Sequence, residues 1–346
     1  MGMKGFKGFE KDFSCGGKQC EENTTYEEYG EGCCYKGVMH FYEDPWEVLN
    51  HYDLVDGNGN LSEFAEVEAL GQVWNDGEKR ATNKIHVGAK LGLKGFLKAC
   101  IDFTLEKTNG TNLSGYSAQI GSSGYSAQIG SSGDSAQIGS SGDSAQIGSS
   151  GNYAQIGSSG DSAQIGSSGY SAQIGSSGDS AKIGSSGYYA QIGSSGYYAQ
   201  IGSSGYSAQI GSSGDYAQIG SSGYYAQIGS SGYSAQIGSS GDSAQIGSSG
   251  YSAQIGSSGD SAQIGSSGDY AQINSTGEDA VIMCAGRKSK AKGKKGSWIT
   301  LAEWVKDEEK GRYVPICVKT ERVDGEKIKD DTYYTLKNGE FSEVEE

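Results

Sequence analysis

Metal or thiol chemistry is the first possibility the chain offers, because Cys15, Cys20, Cys33, Cys34 and His40 all fall within its first 40 residues. A zinc ribbon or finger needs C-x2-C pairs, which bring two sulfurs to one knuckle, and the spacing here supplies none. Asp56-Gly57-Asn58-Gly59-Asn60 resembles the start of a calcium loop. Leu61, however, stands where such a loop needs glycine for its sharp turn, so a plain turn is expected. His40, His51 and His86 have no serine or cysteine arranged with them for nucleophilic catalysis. No catalytic residue, metal site or cofactor is assigned, and a non-enzymatic protein is expected. The seven cysteines are an odd number with none in the long central repeat, so reduced thiols are expected.

The remaining candidates for chemistry are tyrosines and aspartates in that repeat. From Tyr116 the chain reads YSAQIGSSG, YSAQIGSSG, DSAQIGSSG and continues in the same nonad to DYAQINSTG. Isoleucine stands at 120, 129, 138 and every ninth position to Ile273, with Ile282 in a degenerate last unit. A flexible Gly/Ser linker needs no such register. In extended backbone, residues two apart share a face, so Ala118 and Ile120 point inward while Ser117 and Gln119 point outward. The GSSG that follows provides the freedom and hydrogen bonds for a tight corner. One strand and one corner make half a coil. The spacing therefore predicts a mainly β fold: a parallel β-solenoid with two nonads, eighteen residues, per coil.

That period turns sequence variation into a surface map. Only the two positions after GSSG vary freely, and a site that alternates between Tyr and Asp belongs in solvent. Residues eighteen apart stack. Tyr170, Tyr188, Tyr206 and Tyr224 then form one ladder, and the opposite edge runs Asp143, Asp161, Asp179, Tyr197, Asp215, Tyr233, Tyr251. These tyrosines, with Asp143, Asp161 and Asp179, are the candidate binding residues. Lys182, which interrupts the glutamine column, is expected to lie beside Asp179 and relieve its charge. Calcium-binding nonapeptide repeats place an Asp in every unit. Here Tyr is as common as Asp after GSSG, which argues against a built-in calcium spine.

Composition limits the partners. The formal charge is −15, with 27 Lys and Arg against 42 Asp and Glu. An acidic surface argues against general binding to a phosphate backbone. MGMKGFKGFEKDF has no apolar run of signal-peptide length, and no stretch approaches the roughly 20 apolar residues that span a bilayer. A cytoplasmic protein without membrane association is expected.

Three segments follow: an N-terminal α+β capping domain over 1–113, the solenoid over 114–286, and a C-terminal β cap over 287–346. Asp44-Pro45 reads as an N-cap and first position of a helix. LSEFAEVEALGQV alternates as a strand, and GLKGFLKACIDFTLE forms an amphipathic helix whose Phe96, Leu97, Ile101 and Leu105 are expected to cover the open end of the solenoid core. RKSKAKGKKG is expected to be a solvated loop that neutralises nearby acids. GSWITLAEWV, YVPICVKTERV and TYYTLKNGEFSEV alternate like three antiparallel strands of a small meander, with a hairpin turn at Asn338-Gly339.

KGFEKDF, GVMHFYEDPWEVLNHY, KIHVGAKLGLKGFLKACIDFTLE, KAKGKKGSWITLAEW and VDGEKIKDDTYYTL together resemble a family of uncharacterised bacterial and phage or prophage proteins. Its members keep both flanks and exchange the repeat between them. The resemblance implies architecture and no activity. The residues point to a binding or scaffold rod that presents Tyr and Asp ladders to a protein or glycan partner. Two alternatives are an acidic DNA mimic that occupies a nucleic-acid-binding protein in phage–host conflict, and a lattice binder of the ice-adsorbing kind.

Overall fold

The computed structural model describes residues 2–345 apart from 11, 16, 31, 33–36, 57–58 and 108–114. Cys33, Cys34, part of the DGNGN turn and the expected start of the solenoid at residue 114 lie outside the described residues. Two walls of parallel strands run through the middle of the chain. Wall A takes alternate nonads, from Gln119–Ser122 to Val281–Cys284, and wall B takes the others, from Gln128–Ser131 to Lys290–Lys292. Register is eighteen residues throughout, with Gln over Gln and Ile over Ile, as in Ile192 against Ile210 and Ile201 against Ile219.

The parity of each strand places Ala, Ile and the first Ser of GSSG inside. Ile138 through Ile282 and the alanines from Ala136 onward are buried between the walls. The buried serine closes the corner, since Ser203 Oγ accepts the Gly205 amide at 3.3 Å. The second glycine of GSSG is required by the spacing of the coils: a Cβ on Gly205 would lie 1.9 Å from the Gly187 carbonyl oxygen.

Turn geometry changes along the rod although the sequence does not. In the earlier coils Ser162 N–H donates to the Asp143 carbonyl, one coil back. From Ser243 onward the direction reverses, Ser243 donating to Asp260 and Ser252 to Asp269. The residue at this position then enters the left-handed region, with φ of 55° at Ser243 and Ser261. Left-handed backbone costs a non-glycine residue roughly 1–2 kcal/mol. Aspartates in these turns offset part of that cost: Asp242 Oδ1 accepts the Asp260 amide at 3.1 Å and Asp260 Oδ1 the Glu278 amide at 2.7 Å.

The N-terminal region forms a seven-stranded antiparallel sheet in the order Thr24–Glu27, Lys84–Lys90, Glu63–Ala69, Met3–Phe9, Met39–Tyr42, Lys79–Thr82, Val73–Asp76. Helix α1, Pro45–Val48, starts as expected, with the Asp44 carboxylate accepting the Trp46 amide at 2.9 Å. Helix α2 runs from Gly92 to Lys107. Its apolar residues are placed differently from the expectation. They lie along the flank of wall B instead of over the open end. Leu97 sits on Gly166 and Gly184 and Ile101 on Gly148, while Phe96 turns inward to stack on Phe64 at 3.8 Å. Leu105 is half-buried. The reason is steric: the outward glycines of wall B leave a trough into which bulky side chains fit.

The parallel ladder continues past Gly286, so that Lys290–Lys292 pairs with Gln272–Asn274 and Trp298–Leu301 with Val281–Cys284. Part of the basic segment is therefore strand, not loop. Lys290 and Lys292 lie over the Tyr333 ring at 4.8 Å, and Lys294 pairs with Asp330 and Asp331 at 3.5 and 3.4 Å. In place of a single three-stranded meander, each wall receives its own antiparallel strands. Arg312–Arg322 pairs with Trp298–Asp307 on wall A. Tyr334–Lys337 and Glu340–Glu343 form a hairpin on wall B, turning at Asn338-Gly339. Inward side chains on both walls extend the core through Ile299, Leu301, Tyr334 and Leu336.

Candidate functional site

Each coil turns twice, and the two turn columns form opposite edges of the rod. The turns leading from wall B to wall A carry Tyr170, Tyr188, Tyr206 and Tyr224. Their rings stack at 5.5, 4.8 and 5.6 Å between successive centroids, within 20° of parallel. Tyr189 and Tyr225 add edge-on rings, at 4.7 Å from Tyr188 and 4.5 Å from Tyr224. Offset stacking of this kind contributes about 0.5–1.5 kcal/mol per pair beyond area burial. The stacked rings keep their outer edges in solvent, Tyr206 being 39% exposed. Desolvation, then the neighbouring phenols of Tyr225, Tyr188 and Tyr224, holds the Tyr206 hydroxyl above its ordinary pKa. The Tyr206 hydroxyl is therefore neutral at physiological pH and remains a hydrogen-bond donor.

The opposite edge is divided. Tyr233 and Tyr251 stack at 4.8 Å, and Tyr270 tilts against Tyr251 at 4.9 Å. Tyr197 has no ring next to it in its own column, where Asp179 lies below and Asp215 above. It packs against Tyr198 and Tyr216 in the adjacent column, at 4.6 and 5.2 Å. Asp143, Asp161 and Asp179 lie in register here with exposed side chains, and their carbonyls accept the Ser162, Ser180 and Tyr198 amides at 2.7–2.8 Å. The candidate residues thus divide into one tyrosine ladder and, on the far edge, a mixed column of carboxylates and phenols.

Lys182 does not serve Asp179. It stands on the outer face of wall B, where its ammonium donates to the Leu49 carbonyl and lies 3.7 Å from Asp53. Desolvation lowers its pKa, against the attraction of Asp53. Neighbouring glutamines of wall B complete this docking. Gln200 Nε2 donates to Asp53 Oδ1 at 2.8 Å while its Oε1 accepts the Leu54 amide at 3.1 Å, and Gln164 Nε2 donates to Asn50 at 2.9 Å. Below them Leu54 and Leu61 rest on Gly202, and Gly59 meets Gly238 backbone to backbone. Sequence reasoning missed this dock, although the lone cation in a neutral column was a usable signal.

Wall A presents the same outward Gln and Gly columns, and no described residue comes within 4 Å of a Cβ built on its glycines. A groove of about 1690 Å³ runs its length, from Gln119 and Gly121 to Val281 and Met283. Among the described residues no group of three or more His, Cys, Asp or Glu side chains is disposed to hold a metal ion. Burial pushes the Cys284 thiol up to about 12 and the Cys100 thiol well above its usual value, so neither is a thiolate nucleophile at neutral pH. No helix among the described residues is long and apolar enough to cross a membrane.

Comparison with known proteins is informative at one end only. No curated protein and no solved structure matches the chain. Residues 3–99, which hold the antiparallel sheet, α1 and the first half of α2, match a domain of unknown function, DUF7666.

Proposed function

We propose that the protein is a non-enzymatic binding or scaffold rod of the cytoplasm, presenting its tyrosine ladder to a protein or glycan partner. The observation that carries this reading is the run of stacked, half-exposed rings at Tyr170, Tyr188, Tyr206 and Tyr224 on one edge of a rigid β-solenoid. Tyrosine combines a large apolar face with a hydroxyl at low entropy cost, which favours it in recognition surfaces. Fixed by the coils, the rings lose little further freedom on binding. The aspartates on the far edge add a second, acidic register for a partner that wraps the rod.

The test compares the full chain with a Tyr188→Ser, Tyr206→Ser, Tyr224→Ser variant on a glycan array and in affinity capture from a lysate, at low and high salt. The expected result is a partner retained by the natural chain, lost by the variant and little affected by salt. Binding that survives the triple change, or that falls steeply with salt and with charge reversal at Asp143, Asp161 and Asp179, would overturn it in favour of acidic mimicry.

A further inference from the structure

The two walls carry the same outward sequence, yet among the described residues the N-terminal domain covers wall B and not wall A. Its glycines at 148, 166, 184, 202, 220 and 238 touch Ile101, Leu97, Trp46, Leu54, Leu61 or Gly59. On wall A the equivalent Gly121, Gly157, Gly193, Gly211, Gly229 and Gly265 have no atom within 4 Å of a Cβ built there. Their φ values are not in the left-handed region. The fold of one chain gives no steric reason for glycine at these positions, and glycine in a strand costs roughly 0.5–1 kcal/mol relative to alanine. In this molecule, an outward glycine column of this kind is where bulky apolar side chains seat.

Such side chains stand on the same face at its C-terminal end. Val281, Met283 and Trp298 are 51%, 52% and 47% exposed, and Val318 on the neighbouring strand is 65% exposed. Between Gln119 and Thr300 the outward residues of this wall carry no charge, in a chain of net charge −15. The N-terminal domain occupies the opposite wall and leaves the approach open. From these observations we infer that wall A is the interface with a second copy of this chain, related by a two-fold axis near Gly211 that reverses the rods. Each copy then lays Val281, Met283 and Trp298 on the open glycines at 121 and 139 of its partner. The central glutamine ridges fit into glycine grooves. This is an isologous, self-closing contact.

The face spans about 48 Å along eleven strands and about 13 Å across. That is ~600 Å² per copy and ~1,200 Å² in total, the lower end of the range for specific complexes. An interface of this size suits a weak, reversible dimer. It places the tyrosine ladders of both copies on the flanks of one assembly, but it does not depend on what those ladders bind.

Sedimentation velocity on the full chain from about 1 to about 100 µM should show a reversible monomer–dimer equilibrium. Gly211→Lys puts two ammonium groups near the axis, in open space that leaves the fold intact, and should raise the dissociation constant at least tenfold. Met283→Lys should do likewise through the knobs. Tyr153→Lys, the same charge change on an edge, should leave it unaltered. A chain monomeric over the whole range overturns the inference. So does a dimer indifferent to both Gly211→Lys and Met283→Lys, which would have to form through another surface.

Discussion

Two glycines three residues apart in one coil should respond oppositely to the same methyl group. Gly211 points outward from wall A with no neighbour within 4 Å and without positive φ. In the single chain, at concentrations too low for copies to pair, alanine there restricts the unfolded chain and should stabilise by about 0.5–1 kcal/mol. Gly214 sits in the following turn, and its Cβ would lie 1.8 Å from the Gly196 carbonyl oxygen. Real Cβ contacts do not fall below 3.0 Å, so the coils must part locally by 1.2 Å. That opening stretches the Tyr216–Tyr197 and Ser213–Ser194 backbone hydrogen bonds, now 2.9 and 3.0 Å, beyond bonding range. Two lost bonds with their groups left inside a turn amount to at least ~2–3 kcal/mol. Equilibrium denaturation of the full chain, followed by far-ultraviolet circular dichroism, should therefore separate Gly211→Ala from Gly214→Ala by about 3 kcal/mol. Equal stabilities, within the ~0.5 kcal/mol typical of neutral surface changes, would refute both the close coil approach and the outward direction of Gly211.

Other perturbations test the dock and its electrostatics. Lys182→Met removes the ammonium that serves the Leu49 carbonyl and Asp53, and should cost about 1–3 kcal/mol, read as faster hydrogen exchange over residues 49–62. Trp46→Ala deletes a buried indole that donates to Thr104 at 2.8 Å and rests on Gly166, and should cost about 3–5 kcal/mol by denaturant melt. Glu47 has its pKa raised to about 7, first by desolvation and then by Glu78. A carboxyl whose folded pKa exceeds its unfolded value stabilises the fold at low pH and loses that contribution as pH rises through about 7. The melting temperature of the natural chain should therefore fall between pH 5 and pH 8 relative to that of Glu47→Gln. Asp269 is the opposite case. Its hydrogen bonds from Arg287 depress its pKa, so the stability it contributes is present at neutral pH and lost in acid, and Asp269→Asn should flatten the acid limb of the stability curve.

Much of the rod was legible because its period is strict. Ile every ninth residue, with Ala two before it, admits one inward face and one stacking distance, and from these the Tyr170 to Tyr224 ladder follows. The start of α1 was equally plain, since an Asp-Pro pair leaves little choice. Location of the N-terminal domain was not legible from the pattern. Both walls read QIGS, so periodicity alone could not say which would be covered, and an amphipathic helix entering a solenoid suits an end as well as a flank. Lys182 alone broke that symmetry, and its partner Asp53 is distant in sequence. Turn geometry was beyond reach for a related reason: GSSGDSAQI at 157–165 and at 238–246 is the same text in two conformations, bonded to the preceding coil in the first and to the following coil in the second. At the C-terminus the alternation of three segments identified strands, but strand propensity does not specify which wall each joins.

The eighteen-residue coil underlies every surface assignment made above, and spin-label distances test it most directly. Ketone-bearing phenylalanine analogues at 188 and 206, coupled to nitroxides, leave the native cysteines untouched and replace two rings whose centroids are 4.8 Å apart. Electron paramagnetic resonance should show strong dipolar broadening for the 188/206 pair and little for 188/197, which lie on opposite edges. Equal, weak broadening in both pairs, or stronger coupling nine residues apart than eighteen, would contradict the solenoid and remove the ladders with it.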